Sequence, residues 1–402
     1  MKRNRIKKEA ENWLEAGVIS DKQLEEIMSM YEKKDRSYII VLLATILVSL
    51  SVIIFVLSDW AQIPDVAKII IMTMIMVFVY VLGFYLYQKD KKQQDRNALI
   101  GISFITVGYV LFGAIMLLTI AMYNVNLLSA WPFLWWSLLG LLLYIAVSHS
   151  FLINIALLVT IAGQLYSSIQ IGSFYYILFL IYLIGYFHYV FHRGTRLMHY
   201  IFSLGLAGQL LLLSIIVFEQ FYFFLLLLLS MFALSLILPK QLIYRRMVDV
   251  TIISLLLYKV YESLVIQDEF MMEAVQLRPG FFILYSLLFI VVLFILSFIR
   301  KEQRITLILF IPIFFIPYAQ VFIIGTLFVY AVYLVFYSIK SDDTRSRGIG
   351  FISFFIAIVT VLLQYDWDTL TKSIIFLLTG FALFFFYVMI ERKKRKEGRS
   401  SQ

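Results

Sequence analysis

VFIIGTLFVYAVYLVFYSIKSDDTRSRGIGFISFFIAIVTVLLQ, residues 321–364, decides the fold. Two uncharged apolar runs flank a short cluster made of Lys340, Asp342, Asp343, Arg345 and Arg347. Each run is close to the length of about 20 residues that an α-helix needs to cross the hydrocarbon core of a bilayer. Neither run carries a polar stripe, and a helix that is apolar on every side belongs in a large core or in lipid. The same alternation of apolar run and charged cluster continues outward in both directions.

Composition makes lipid the solvent. Hydrophobic residues are 62% of the 402-residue chain, charged residues 15%, and mean hydropathy is +0.92. Soluble domains run near about half apolar and about a quarter charged. The pattern predicts an all-α, polytopic integral membrane helical bundle of about fourteen transmembrane helices. The predicted spans are 38–58, 67–88, 98–121, 130–148, 151–169, 174–191, 197–218, 221–238, 247–266, 280–299, 305–317, 319–339, 348–365 and 369–390. This divides the chain into residues 1–37, a helical hairpin, 38–390, the membrane domain, and 391–402, a basic tail.

Charge tests the count. The formal net charge is +9, which by itself also fits nucleic-acid binding. With fourteen spans, however, 30 of the 34 Lys and Arg residues fall in loops and termini on one side. Cytoplasmic loops hold the excess of Lys and Arg, so both termini are expected in the cytoplasm and no nucleic-acid partner is expected. Residues 305–317 are the soft point: Pro312 and Pro317 interrupt ITLILFIPIFFIPYAQVF, so this stretch reads as a short span, a re-entrant segment or a kinked lead into the next helix. Deleting it from the count would place a basic cluster outside, which favours a crossing.

Ahead of the spans, EAENWLEAGVISDKQLEEIMSMYEKK (9–34) reads as two short helices. Gly17 ends the first, and Ser20 with Gln23 has capping-box spacing at the start of the second. Trp13, Leu14, Ile19, Leu24, Ile27 and Tyr31 supply an apolar face for the membrane or a protein partner. Residues 1–36 do not read as a cleavable signal, since a charged amphipathic stretch precedes the first apolar run.

The hairpin, TILVSLSVIIFVLSDWAQIPDVAKIII and GYVLFGAIMLLTIAMYNVN together resemble the bacterial membrane-protein family called domain of unknown function 2157. Trp13 and Gly17 match the family's Trp-x-x-x-Gly start. Ser58-Asp59-Trp60 keeps the Trp of its Asn-Trp pair and replaces Asn by Asp, and Tyr123 keeps the Tyr at the end of the third span. The resemblance covers about residues 10–126 and implies residence in a bacterial cell membrane; it brings no activity.

Ionisable groups inside a span cost about 2.5–3.5 kcal/mol on insertion scales and mark functional candidates. Only the ninth span, VDVTIISLLLYKVYESLVIQ, holds a pair: Lys259 with Glu262 three residues on, and Ser263 extending the stripe. Either they line a substrate or proton pathway, or they neutralise each other as a structural pair. Asp249, near the end of the same span, is expected to reach water. Asp59-Trp60 and Asp366-Trp367, each followed by a lysine, are the outer-loop candidates and a possible trace of internal repetition. Asn154, Gln164 and Gln209 read as interhelical hydrogen-bonding amides, and His188, His192 and His199 as interfacial residues.

No nucleotide, nucleophile or zinc motif is present, the chain has no cysteine, and no loop is long enough for an inserted catalytic domain. No catalytic residue, cofactor or metal is therefore assigned, and an enzyme is the less favoured class. The expected function is a secondary transporter or a flippase for lipids or envelope precursors; the alternative is a scaffold or sensor that recruits a partner through residues 1–34.

Overall fold

The computed structural model describes residues 37–57, 63–93, 98–123, 129–239, 241–267, 275–298, 301–314, 318–341 and 344–364, with isolated positions at 13, 20, 23 and 316 and between 370 and 388. Within them every regular element is a helix. In chain order these are α1 (Ser37–Leu57), α2 (Asp65–Gln93), α3 (Ala98–Met122), α4 (Trp131–Val147), α5 (Ser150–Tyr166), α6 (Tyr176–Leu180), α7 (Phe187–Arg193), α8 (Arg196–Ile216), α9 (Phe223–Ile237), α10 (Gln241–Gln267), α11 (Pro279–Phe298), α12 (Ala319–Ser341) and α13 (Thr344–Gln364). Two π-helical stretches, Ser167–Ile171 and Ile181–Tyr186, and a 3₁₀ helix, Lys301–Phe310, lie between them.

Among the described residues seven helices are long and apolar enough to cross a membrane: 65–89, 99–122, 150–171, 196–216, 279–298, 319–338 and 345–363. Helices α4 and α9 are apolar but shorter. The multi-spanning character stands on these helices. The figure of fourteen goes beyond them, and the stretch assigned to the last span is described only at scattered positions.

The chain divides into two compact units, residues 1–126 with 142–152, and 127–141 with 153–402. In the first, α2 and α3 pack through small residues. A Cβ added to Gly101 would stand 2.5 Å from the Tyr87 backbone nitrogen, and one on Gly83 2.9 Å from Ile105. In lipid such close approach replaces the hydrophobic drive as the source of helix association. The Tyr87 hydroxyl donates to the Val147 carbonyl at 3.0 Å. Burial holds the His149 imidazole below its usual range, and its Nδ1 accepts the Phe151 N–H at 3.3 Å near the start of α5.

In the second unit, the sixth predicted span is an unbroken helical run in which α6 passes through a π-helical stretch, Ile181–Tyr186, into α7. The π stretch carries Tyr182 and Tyr186, both fully buried. Tyr182 donates to the Phe202 carbonyl at 2.8 Å, and Tyr186 to the Ser137 carbonyl at 3.0 Å. Ser137 also bonds Thr160 at 2.7 Å. Insertion of an extra residue per turn is what π stretches do, and here it accompanies two phenols that are both satisfied inside the bundle.

Residues 305–317, read as a short span, a re-entrant segment or a kinked lead into the next helix, are not α-helical up to Phe314. Pro312 has no N–H to give, its ring clashes with the carbonyl four residues back, and it disfavours helical geometry at Ile311. The chain instead forms a 3₁₀ helix over Lys301–Phe310 and then irregular backbone. At its start Arg304 donates to the Leu296 and Ser297 carbonyls at 3.3 and 3.2 Å, capping the C-terminus of α11. At its end Phe314 packs on Tyr222 at 5.3 Å between ring centroids. Tyr222 in turn donates to the Gln276 carbonyl at 2.5 Å and accepts the Arg278 N–H at 3.1 Å, just before α11 begins. From Arg304 to Phe314 the chain therefore runs antiparallel to α11.

Candidate functional site

Helix α10 is the axis of the second unit, packing against α8, α9, α12, α13 and the 3₁₀ helix. Lys259 and Glu262 lie on its face toward the broken segment, and neither has any exposure. Lys259 Nζ is 2.7 Å from Glu262 Oε2 and donates to the Ile311 carbonyl at 2.9 Å. The Tyr258 ring centroid lies 5.9 Å from the same Nζ. At the preceding residue, the Tyr285 hydroxyl donates to the Phe310 carbonyl. Two side chains from different helices thus satisfy the last carbonyls of the 3₁₀ helix, the groups any helix end leaves unpaired.

The charges also have an electrostatic reason to be where they are. A cation is favoured at a helix C-terminus, where the backbone dipoles leave a partial negative charge. Glu262 faces the backbone amides of Ile313 and Phe314 beyond the break, though outside hydrogen-bond geometry, so its Oε1 has no hydrogen-bond partner. Free backbone groups at a buried break need partners, and here the Lys259 ammonium and the Tyr285 hydroxyl supply them. Phe221, Tyr222, Phe281, Tyr285 and Phe314 form a continuous ring network on this side, with successive centroids 4.7 to 5.8 Å apart. Ser263 is fully buried beside the pair and its Oγ has no hydrogen-bond partner.

Asp249 does not reach water. Its side chain is 8% exposed and lies 2.6 Å from the Arg345 guanidinium and 3.5 Å from Arg246. Arg345 also donates to the Arg245 carbonyl at 3.0 Å. Arg246 bonds the Tyr200 hydroxyl at 2.6 Å and stacks on its ring. This cluster joins α8, α10 and α13 at one end. Sequence reasoning missed it because Arg345 is 96 positions from Asp249, and no local spacing links them.

The three amides fare differently. Gln164 is buried, and with its amide oriented to suit, it donates to the Tyr175 carbonyl at 3.2 Å and accepts the Tyr175 N–H at 3.1 Å. Asn154 is buried with Oδ1 unpaired. Gln209 is 1% exposed and neither amide atom has a partner. It lines an apolar groove of about 700 Å³ between α5, α8 and α10, whose wall also includes Ser254, Tyr258 and Tyr261. His199, expected at an interface, is buried, with Nε2 3.1 Å from the Val190 carbonyl. His192 Nδ1 is 2.8 Å from the His188 carbonyl. Among the described residues no three His, Cys, Asp or Glu side chains are grouped to hold a metal. Asp59, Trp60, Asp366 and Trp367 lie outside the described residues.

Fold and site together define a membrane protein with several apolar helices and an ion pair buried against a broken one. Residues 11–153 match the family model described as predicted membrane protein (DUF2157). The match takes in the N-terminal part that carries the resemblance and ends before Lys259, Glu262 and the groove. No curated protein and no solved structure matches the chain.

Proposed function

We propose that this chain is a secondary transporter or flippase for a lipid-class amphiphile in the bacterial cell membrane, with both termini cytoplasmic. The observation that carries the reading is the Lys259–Glu262 pair holding the end of a broken helix. Transporters build their sites from discontinuous helices whose free backbone groups meet ions at membrane depth. Orientation rests on the one-sided distribution of Lys and Arg. The meeting of Arg246 and Arg345 at Asp249 supports it, since it puts two basic loops at one end.

The pair is sealed from water as it stands, so transport requires residues 301–314 to move away from α10. Glu262 is the group whose protonation would release Lys259 and loosen that contact. Purified protein in vesicles should move fluorescent lipid between leaflets, and Glu262→Gln should reduce the rate at least tenfold while the protein remains folded. Wild-type vesicles with no flux above empty ones, or unchanged flux in Glu262→Gln, would sink the reading.

A second reading, a scaffold or sensor, draws on the N-terminal segment. Ser20 N–H donates to Gln23 Oε1 at 2.9 Å and Gln23 N–H to Ser20 Oγ at 3.4 Å, the reciprocal bonds of a capping box. Trp13 is 46% exposed. On this reading, deleting residues 1–34 removes a co-purifying protein partner and leaves lipid flux untouched; an unchanged set of partners would refute it.

A further inference from the structure

We infer that the 3₁₀ helix Lys301–Phe310 is a stretched spring: while Lys259 and Tyr285 hold its end it stays extended, and once they let go it winds into a shorter α-helix. The shortening is about 5 Å, from a rise of about 2.0 Å per residue to about 1.5 Å over its ten residues. This deepens the carrier reading by naming how residues 301–314 leave α10. It rests on that reading for its role but not for the change of helix.

Length is the first reason. Runs of 3₁₀ helix beyond about three or four residues are uncommon, because their hydrogen bonds are poorly aligned. This one has ten residues, and beyond it the Ile311 N–H reaches the Ile308 carbonyl only at 3.5 Å, longer than an ordinary N–H···O bond. Nothing in the sequence asks for it. No Gly or Pro lies between Lys301 and Ile311, and Gln303, Arg304, Leu307 and Leu309 favour the α form. An α-helix could end near Phe310 with Pro312 just past it, where proline is common.

The ties that hold the segment extended sit at its two ends. Arg304 fixes the start to the Leu296 and Ser297 carbonyls. At the other end the Tyr285 hydroxyl and the Lys259 ammonium take the Phe310 and Ile311 carbonyls, and the Phe310 ring lies 5.3 Å from that of Phe232. Between the ties, exposure recurs every third residue: Ile305, Ile308 and Ile311 are partly exposed or exposed, and Thr306, Leu307, Leu309 and Phe310 are buried. Winding changes the turn from about 120° to about 100° per residue. With Arg304 fixing the start, Ile311 swings about 120° off the face it shares with Ile305, and Leu309 comes to within about 40° of it. Phe310 and Ile311 then draw back toward Arg304, and the irregular backbone after them extends to match, at up to about 3.3 Å per residue.

The chain has no cysteine, so single substitutions from Ile305→Cys to Ile311→Cys can each carry a nitroxide in the full-length protein in lipid vesicles. Collision with dissolved oxygen then reads which positions face hydrocarbon. The wild-type chain should show maxima at Ile305, Ile308 and Ile311, a period of about 3.0 residues. Lys259→Met, Glu262→Leu and Tyr285→Phe together should lengthen the period to about 3.6 residues. Leu309 then gains oxygen contact and Ile311 loses it. Tyr285→Phe alone, which removes one hydroxyl and keeps the ring, should move both positions the same way by a smaller amount.

A wild-type scan without a period of three overturns the inference. So does a period of three in both variants, which would give the hold to packing of Phe310 on Phe232, or the loss of any period, which would make the freed segment a loose strand. Winding in the variants with no lipid flux from the wild type leaves this inference standing and fells the carrier reading. Wild-type flux with a period of three in every variant does the reverse.

Discussion

Lys259→Met is expected to destabilise the protein by about 3–5 kcal/mol, the cost of stranding one member of a buried ion pair. The readout is the denaturation midpoint of purified protein in detergent. Methionine fills most of the lysine's volume, so the loss is electrostatic rather than a cavity. It leaves Glu262 charged in a site with no exposure, and it removes the donor 2.9 Å from the Ile311 carbonyl. Lys259→Met with Glu262→Leu should recover most of the loss, since no charge is then left alone and only the Ile311 carbonyl is orphaned, at about 1–3 kcal/mol. The pair's two roles separate here: a double variant that is stable yet moves no lipid assigns the charges to transport, and one that is stable and active reduces them to a clamp. A double variant as unstable as the single would refute mutual neutralisation as the reason the charges are tolerated.

What was legible in the sequence is what repeats along one helix. The apolar runs placed helix ends to within a few residues for α1, α3, α4 and α11, because lipid imposes a length on every span. Lys259 and Glu262 were legible because three residues put them on one helical face, and Ser20 with Gln23 because a capping box is local. What pairs across helices was not. Ile311 is 52 positions from Lys259, and a backbone carbonyl has no signature in composition. The two prolines announce a break in this stretch without saying that the Phe310 and Ile311 carbonyls would be met by a tyrosine and a lysine. Asp249 reads as solvated because it lies near the end of its span and on a different face from Lys259, and its partner Arg345 is 96 positions away; nothing in LAGQLLLL says that the Gln209 amide is left without a partner.

Arg345→Met tests the other charge cluster and should cost about 2–3 kcal/mol. Asp249 keeps Arg246, but at 3.5 Å and with Arg246 also engaged by Tyr200. Arg345→Lys should recover only part, because a single ammonium cannot hold both the Asp249 carboxylate and the Arg245 carbonyl, which the planar guanidinium reaches together. Arg246→Met should cost less, about 1 kcal/mol, because its pair with Asp249 is the longer one, 3.5 Å against 2.6 Å. A cycle with Asp249→Leu isolates the coupling, since in that background Arg345→Met has no buried carboxylate to strand. Coupling near zero would mean that the start of α13 is held by apolar packing alone. Coupling of the size expected here makes the cluster the tie that keeps two basic loops at one end of the unit. The same arginines on which the proposed orientation rests then also hold α13 against α10.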